Sequence, residues 1–523
     1  MICIRCRTVA VCLVLVSITG CPGSRKVSSS NTQNGKTVTG EPSADDLLKS
    51  AIHQLRPENY TIAAATDKPV NLLNSWRGMV DKNAATDPSV IPAGWIDDAD
   101  ATRLKVHNYD LRDAIHVRDA MLTHAITTQI LSRGGDEIAH IRGVVDYVVR
   151  NISLRGGDEP DMPLGIYQLL LIGRGTVEDR AWVCSSLLRQ IRIDSVIVRP
   201  SADSGADSDV WLFGALLNGR VHLFDLQLGI AIPSSTDLVQ PGPPATLESL
   251  VSHPEWLQSL AMRSDQPYPI DAAFLKEPLV APIVESEFWS ERMKHLESVL
   301  PAEEICVLHD PLNDESGRTG LLTRLTQATP TLKVDQLQPW GYPKHQFQSA
   351  QSVAPAVQQV LEATTMIFSL PVPIQVDPKT QKVTIGIPER RMLRIRTDQL
   401  LGKFEDATKR YLAIRHLAIE ENPVQTLAML NQVGAEFAMY WTGVCKFEAR
   451  DHNAAIEQLS TYVKRYDRNG RWNFAARALL AECHAELGHF KEATALLERS
   501  RSDDPYRAAN AIRVKRWNAR KPE

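Results

Sequence analysis

The chain has 523 residues, 43% of them apolar and 23% charged, with a formal net charge of −4. That length exceeds what one hydrophobic core serves, so two to four packed units are expected. Near-neutral charge, with no long basic run and no interleaving of basic with aromatic residues, argues against nucleic acid as a partner.

Residues 1–20 carry Arg5 and Arg7, an apolar run from Thr8 to Ile18, and the small residues Thr19 and Gly20. This is the layout of a secretory signal peptide, and the run is too short for a bilayer span, which takes about 20 apolar residues. The stretch Ile18-Thr19-Gly20-Cys21 resembles the bacterial lipobox, whose cysteine is lipidated and becomes the first residue. The resemblance implies a lipid on Cys21 and a cell-envelope protein anchored to a membrane with its folded part outside the cytoplasm. Cys21→Ala is then expected to move the protein from the membrane to the soluble fraction; unchanged fractionation would overturn the anchor. Residues 21–47, rich in Ser, Thr and Gly, read as a flexible tether. Cys3, Cys6 and Cys12 fall in the leader. Cys184, Cys306, Cys445 and Cys483 lie too far apart for metal-ligand spacing and read as small buried hydrophobes, so neither a metal nor a cofactor is expected.

Residues 48–130 form a helical N-terminal region, with apolar residues returning every three or four positions and no visible chemistry. From 131 to 235 the pattern sharpens. Gly134-Gly135-Asp136 signals a helix end and an N-cap, and Ile138, Ile141, Val144, Val145 and Val148 form one helical stripe. A second helix follows Gly175, with Trp182, Val183, Leu187 and Leu188 inward. "DSVIVRP" reads as a buried strand, and "DVWLFGALLNGRVHLFDLQLG" as two strands around the hairpin pair Asn218-Gly219.

The order helix, helix, strand, hairpin, with Gly175, Asp179, Ala181 and "SLLRQIRI", resembles the transglutaminase-like branch of the papain-like cysteine enzymes. That family places a "G-x-C-x-[DE]-x-A" turn before its second helix, and a histidine and an aspartate on the following strands. The resemblance runs from Asp136 to Ile232. It puts the nucleophile position on Val177, the histidine position on Asp209 and the aspartate position on Asp225, so only the last keeps its residue type. A thiolate activated by an imidazole that a carboxylate orients is what the family chemistry needs. Valine has no ionisable atom, and no catalytic residue is assigned. Cys184 lies about 10 Å farther along the helix, away from the N-terminal field that lowers a thiol pKa. Thr176 lacks an evident base, and His222 points to the opposite strand face from Asp225. Trp182 and Trp211 read as core residues.

Residues 236–395 form a mixed α/β region of uncertain fold. "SEFWSERMKHLESVLPAEE" reads as an amphipathic helix with its charges outward, "PVPIQVDPKTQKVTIGI" as a hairpin, and no site is expected. In residues 396–510, "GKFEDATKRY" and "GHFKEATALL" agree at Gly, Phe, Ala and Thr. With Gly443, Ala407, Ala455, Ala481, Ala493 and Pro505, the segment resembles tetratricopeptide repeats in three irregular units. The expected fold class is therefore α+β: a transglutaminase-like core of helices and antiparallel sheet, followed by an all-α repeat domain. The resemblances imply a scaffold or adaptor for envelope proteins or peptides. The enzyme alternative is an amide-processing or peptidase-like cysteine hydrolase with a relocated nucleophile.

Overall fold

Helix caps and turn residues set most element boundaries in the computed structural model. It describes residues 42–520 apart from 60–66, 81–90, 157–158, 202–208, 263–264, 272, 276, 316, 330–336, 381, 387–389, 421, 468–469 and 499. The leader, Cys21 and the tether up to residue 41 lie outside the described residues. The expected tether boundary at 47 is too late. Ser43 and Asp46 form a capping box that starts α1 (Ala44–Leu55), with Leu47 and Leu48 already buried.

Helices α2 (Asp67–Val80), α3 (Asp98–Leu104) and α4 (Leu111–Leu131) follow. Asp97 caps α3, and Asp110 with Asp113 caps α4. Positive φ at Gly134 and Gly135 ends that segment, and Asp136 caps α5 (Glu137–Asn151) by accepting from the Ala139 N–H. A two-residue strand β1 (Ser153–Leu154), helix α6 (Ile166–Ile172) and strand β2 (Arg174–Gly175) lead into α7 (Val177–Arg189).

Strands β3 (Ser195–Arg199), β4 (Leu212–Leu217), β5 (Arg220–Asp225), β6 (Ile230–Ala231) and, after helix α8 (Leu247–Ser252), β7 (Leu279–Pro282) form one antiparallel sheet in the order β6-β5-β4-β3-β7. Asn218 and Gly219, both at positive φ, close the β4–β5 hairpin as expected. Alternation divides the sheet between two cores. Ile197, Phe213, Ala215 and Phe224 face α5 and α7, whereas Val196, Val198, Leu212, Val221 and Leu223 face a second core with Leu250, Tyr268 and Phe274. A third core joins α1, α2 and α4 to α9 (Glu291–Val299).

Helices α10 (Leu321–Ala328), α11 (Tyr342–Ser349) and α12 (Pro355–Ile367) precede the exposed hairpin of β8 (Ile374–Val376) and β9 (Val383–Ile385). The C-terminal region is helical: α13 (Arg391–Leu400) with α14 (Phe404–His416), α15 (Gln425–Glu448) with α16 (His452–Arg465), α17 (Asn473–Glu486) with α18 (Phe490–Leu497), then α19 (Arg507–Ala519). Each helix packs on the next. Gly402 and Gly488 turn the first and third pairs at positive φ, and Arg450 takes that conformation in the second. Fully buried Ala407, Ala455 and Ala493 each stand five residues later. The turn residue of the middle pair is thus Arg450. Gly443 lies inside α15, where a Cβ would come within 2.5 Å of Leu459 Cδ2. No helix among the described residues is long and apolar enough to cross a membrane.

The mixed helix-and-sheet class with a helical C-terminal region stands. The helical region is not set apart, however. Tyr440, Trp441, Trp472 and Tyr506 belong to the same continuous core as Phe213, Val145 and Leu187.

Candidate functional site

The turn into α7 is built by Asp179. Its carboxylate folds back to accept the Thr176 N–H at 2.8 Å, while Thr176 Oγ1 accepts the Asp179 N–H at 3.2 Å. Gly175 is required by this closure: a Cβ there would sit 2.7 Å from Asp179 Oδ2. The other carboxylate oxygen accepts the Tyr342 hydroxyl at 2.8 Å, and that hydroxyl lies 3.4 Å from Thr176 Oγ1. Burial pushes the Asp179 carboxyl up, and burial with the Asp179 charge beside it pushes the Tyr342 phenol up. The Thr176 hydroxyl is therefore held by a cap N–H and a neutral phenol, neither of which is a base. Val177 opens α7, half-buried against the core, with no ionisable atom at the position. The segment that supplies Tyr342 also donates the Trp340 N–H to the Pro282 carbonyl at the sheet edge, and Trp340 stacks on Tyr342 at 4.9 Å. The chain's own residues cover the head of α7.

The other residues that the resemblance singles out do not converge there. Asp209 is exposed. Asp225 turns to the second core, accepting the Tyr268 hydroxyl at 2.6 Å and the Leu228 N–H at 2.7 Å. His222 alternates to the other face, half-buried beside the Thr246 bridge, and burial lowers its pKa. Cys184 is fully buried, and burial pushes its thiol far above the usual range. Cys306, Cys445 and Cys483 are also buried and free, with thiols pushed up by burial.

A larger feature lies beside this turn, between α4, α7, the residues 284–289 and α11: a cavity of about 380 Å³. Its walls include Trp95, Trp182, Trp289 and Trp340. At its polar end Arg103 donates to Glu287 at 2.8 Å, and Arg112 bridges Glu287 at 2.7 Å and Asp100 at 2.5 Å. Arg118 holds Asp119 at 2.7 Å. His116 donates Nε2–H to the Leu308 carbonyl at 2.9 Å, and burial lowers its pKa, so it is neutral. Glu285 differs: it accepts the Trp182 indole N–H at 2.9 Å and makes no ion pair among the described residues. Burial, then the neighbouring Glu287 charge, push its carboxyl up to about 7. Among the described residues no three His, Cys, Asp or Glu side chains gather as metal ligands.

The chain matches no known protein family, no curated protein and no solved structure.

The structure corrects one reading of the sequence and adds to two others. Residues 236–395, where no site is expected, contribute Glu285, Glu287 and Gln346 to the cavity lining. The charges of the 287–299 stretch do not all face outward, since Glu287 and Arg292 are buried. Trp182 is a core residue as expected, 7% exposed, and also lines the cavity. The missed signal was pairwise: Asp100, Arg103, Arg112, Asp113, His116, Arg118 and Asp119 crowd a segment whose apolar period buries them, which charged residues tolerate only with partners. Those partners, Glu287 and Arg292, lie some 180 positions away.

Proposed function

We propose that this chain is a non-catalytic scaffold or adaptor of a bacterial cell envelope. It is held to a membrane through lipid on Cys21 and binds envelope proteins or peptides through its helical pairs and its degenerate transglutaminase-like core. The observation that carries this reading is the state of the α7 N-terminus. Val177 stands where a nucleophile would profit from the helix field, and Tyr342 is tied to both capping residues across the same turn. Asp225, the one family position with its expected identity, spends both carboxylate oxygens on the opposite sheet face. The turn offers no thiol and no imidazole, and its buried carboxylate, Asp179, is engaged by the Thr176 N–H and the Tyr342 hydroxyl.

Thiol reactivity tests the reading. Under reducing conditions the native protein should react slowly with an electrophilic peptide-like probe at Cys184, Cys306, Cys445 and Cys483. Buried thiols with raised pKa values carry almost no thiolate at neutral pH. Rapid labelling of Cys184 that disappears on unfolding would establish the hydrolase alternative instead.

A further inference from the structure

The cavity between α4, α7 and α11 has its charges matched except at one point. Arg103 and Arg112 are taken by Asp100 and Glu287, Arg118 by Asp119, and Lys344, on the rim and 41% exposed at its side chain, by Asp97 at 2.7 Å. Among the described residues Glu285 has only an indole N–H. A second open acceptor lines the same space: Gln346, 3% exposed, has an Oε1 with no hydrogen-bond donor among the described residues. Every cation on the walls is already paired, so the unmet demand is for positive charge and for donors. Four indoles complete the lining and offer apolar surface to an alkyl chain. The volume lies near the lower end of the range for small-molecule sites, about 300–1,000 Å³.

We infer that this cavity is a binding site for a primary alkylammonium group, with Glu285 and Gln346 accepting its N–H bonds and the tryptophans packing on its alkyl chain. An –NH₃⁺ brings three donors, whereas a quaternary ammonium brings charge and none, so the open acceptors favour the primary amine over the quaternary ion. The ammonium can come from a free amine or from a lysine side chain of a peptide. The inference rests on the cavity's own residues and stands whether or not the α7 turn is catalytically empty.

Calorimetric titration of the intact protein at pH 8, where Glu285 is ionised, tests it with n-pentylamine, 1-pentanol and tetramethylammonium. Saturable binding is expected for pentylamine, with pentanol and tetramethylammonium at least about tenfold weaker. Glu285→Gln keeps the acceptor for Trp182 and should weaken pentylamine at least about tenfold while pentanol is unaffected. Gln346→Met should weaken it less. A Gly-Lys-Gly peptide against its norleucine counterpart separates the sources: tighter binding of the lysine peptide than of pentylamine assigns the site to a peptide side chain, and the reverse order to a free amine. Equal affinity for pentylamine and pentanol, no saturable heat with any amine, or undiminished binding by a Glu285→Gln protein with unaltered thermal unfolding would each overturn the assignment.

Discussion

Arg396→Met is expected to lower the unfolding free energy by about 3 kcal/mol and to leave a single transition in which the sheet core and the C-terminal helices melt together. Arg396 is fully buried in α13 with no carboxylate partner among the described residues. It donates to the Leu170 carbonyl at 2.7 Å and the Leu171 carbonyl at 3.2 Å, at the end of α6, and its guanidinium lies 4.5 Å from the Trp441 ring centroid. The negative end of the α6 dipole and the indole face replace a counter-ion. Methionine fills much of the space but strands two buried carbonyls, at about 1–3 kcal/mol each, partly offset by no longer burying a charge. Urea unfolding followed by both far-ultraviolet circular dichroism and tryptophan fluorescence measures it. A loss below about 1 kcal/mol, or two separated transitions, would contradict the role given to Arg396 in joining the two regions.

The same joint bears on how the helical region can be studied. The Arg133 and Arg150 guanidinium groups, on the segment around α5, meet buried Glu448 of α15 at 2.8 and 2.6 Å, and Arg180 of α7 meets the Tyr506 hydroxyl at 3.3 Å. Removing residues 396–523 would expose the shared core, so partner binding is better probed by surface substitutions on the intact chain.

What the sequence conveys depends on whether the signal is local. The β4–β5 hairpin follows from Asn218-Gly219, the α5 start from Asp136, and the α7 start from Thr176 and Asp179, because turn and cap chemistry acts over four residues. The helical pairs were half legible. Glycine marks two of the three turns, but Arg450 adopts the same left-handed backbone without the glycine signature, so the turn of the middle unit carries no local mark in the sequence. The cavity was illegible because its polar end is assembled from α3, α4 and the 285–292 segment, whose charges mean something only as pairs. The partner of Asp225 was likewise out of reach, because Tyr268 comes 43 residues later, in a stretch without periodicity.

The second large effect is expected at Arg292. Its side chain is fully buried, with Nε and Nη2 3.0 and 3.1 Å from the two oxygens of Asp113, itself fully buried, and Nη1 on the Arg103 and Val106 carbonyls. This bidentate pair fastens α9 to the first turn of α4, beneath the polar end of the cavity. Arg292→Met should cost about 3–5 kcal/mol at pH 7, because the Asp113 charge is left with Arg103 at 3.4 Å as its remaining close cation. The pH dependence separates this cause from lost packing. Burial already pushes the Asp113 carboxyl above its ordinary value, and without Arg292 it rises further. A folded-state pKa above the unfolded one favours the fold where the group is protonated. The deficit of the variant should therefore be largest above the raised folded pKa, shrink as the pH falls through it, and be smallest below the ordinary aspartate value of about 4. Adding Asp113→Asn to Arg292→Met removes the stranded charge and should recover part of the loss at pH 7 and flatten that dependence. A deficit equal at pH 7 and pH 4, with no recovery in the double variant, would mean that Arg292 acts through its bulk and its two carbonyl contacts, and that Asp113 is carried uncharged in the core.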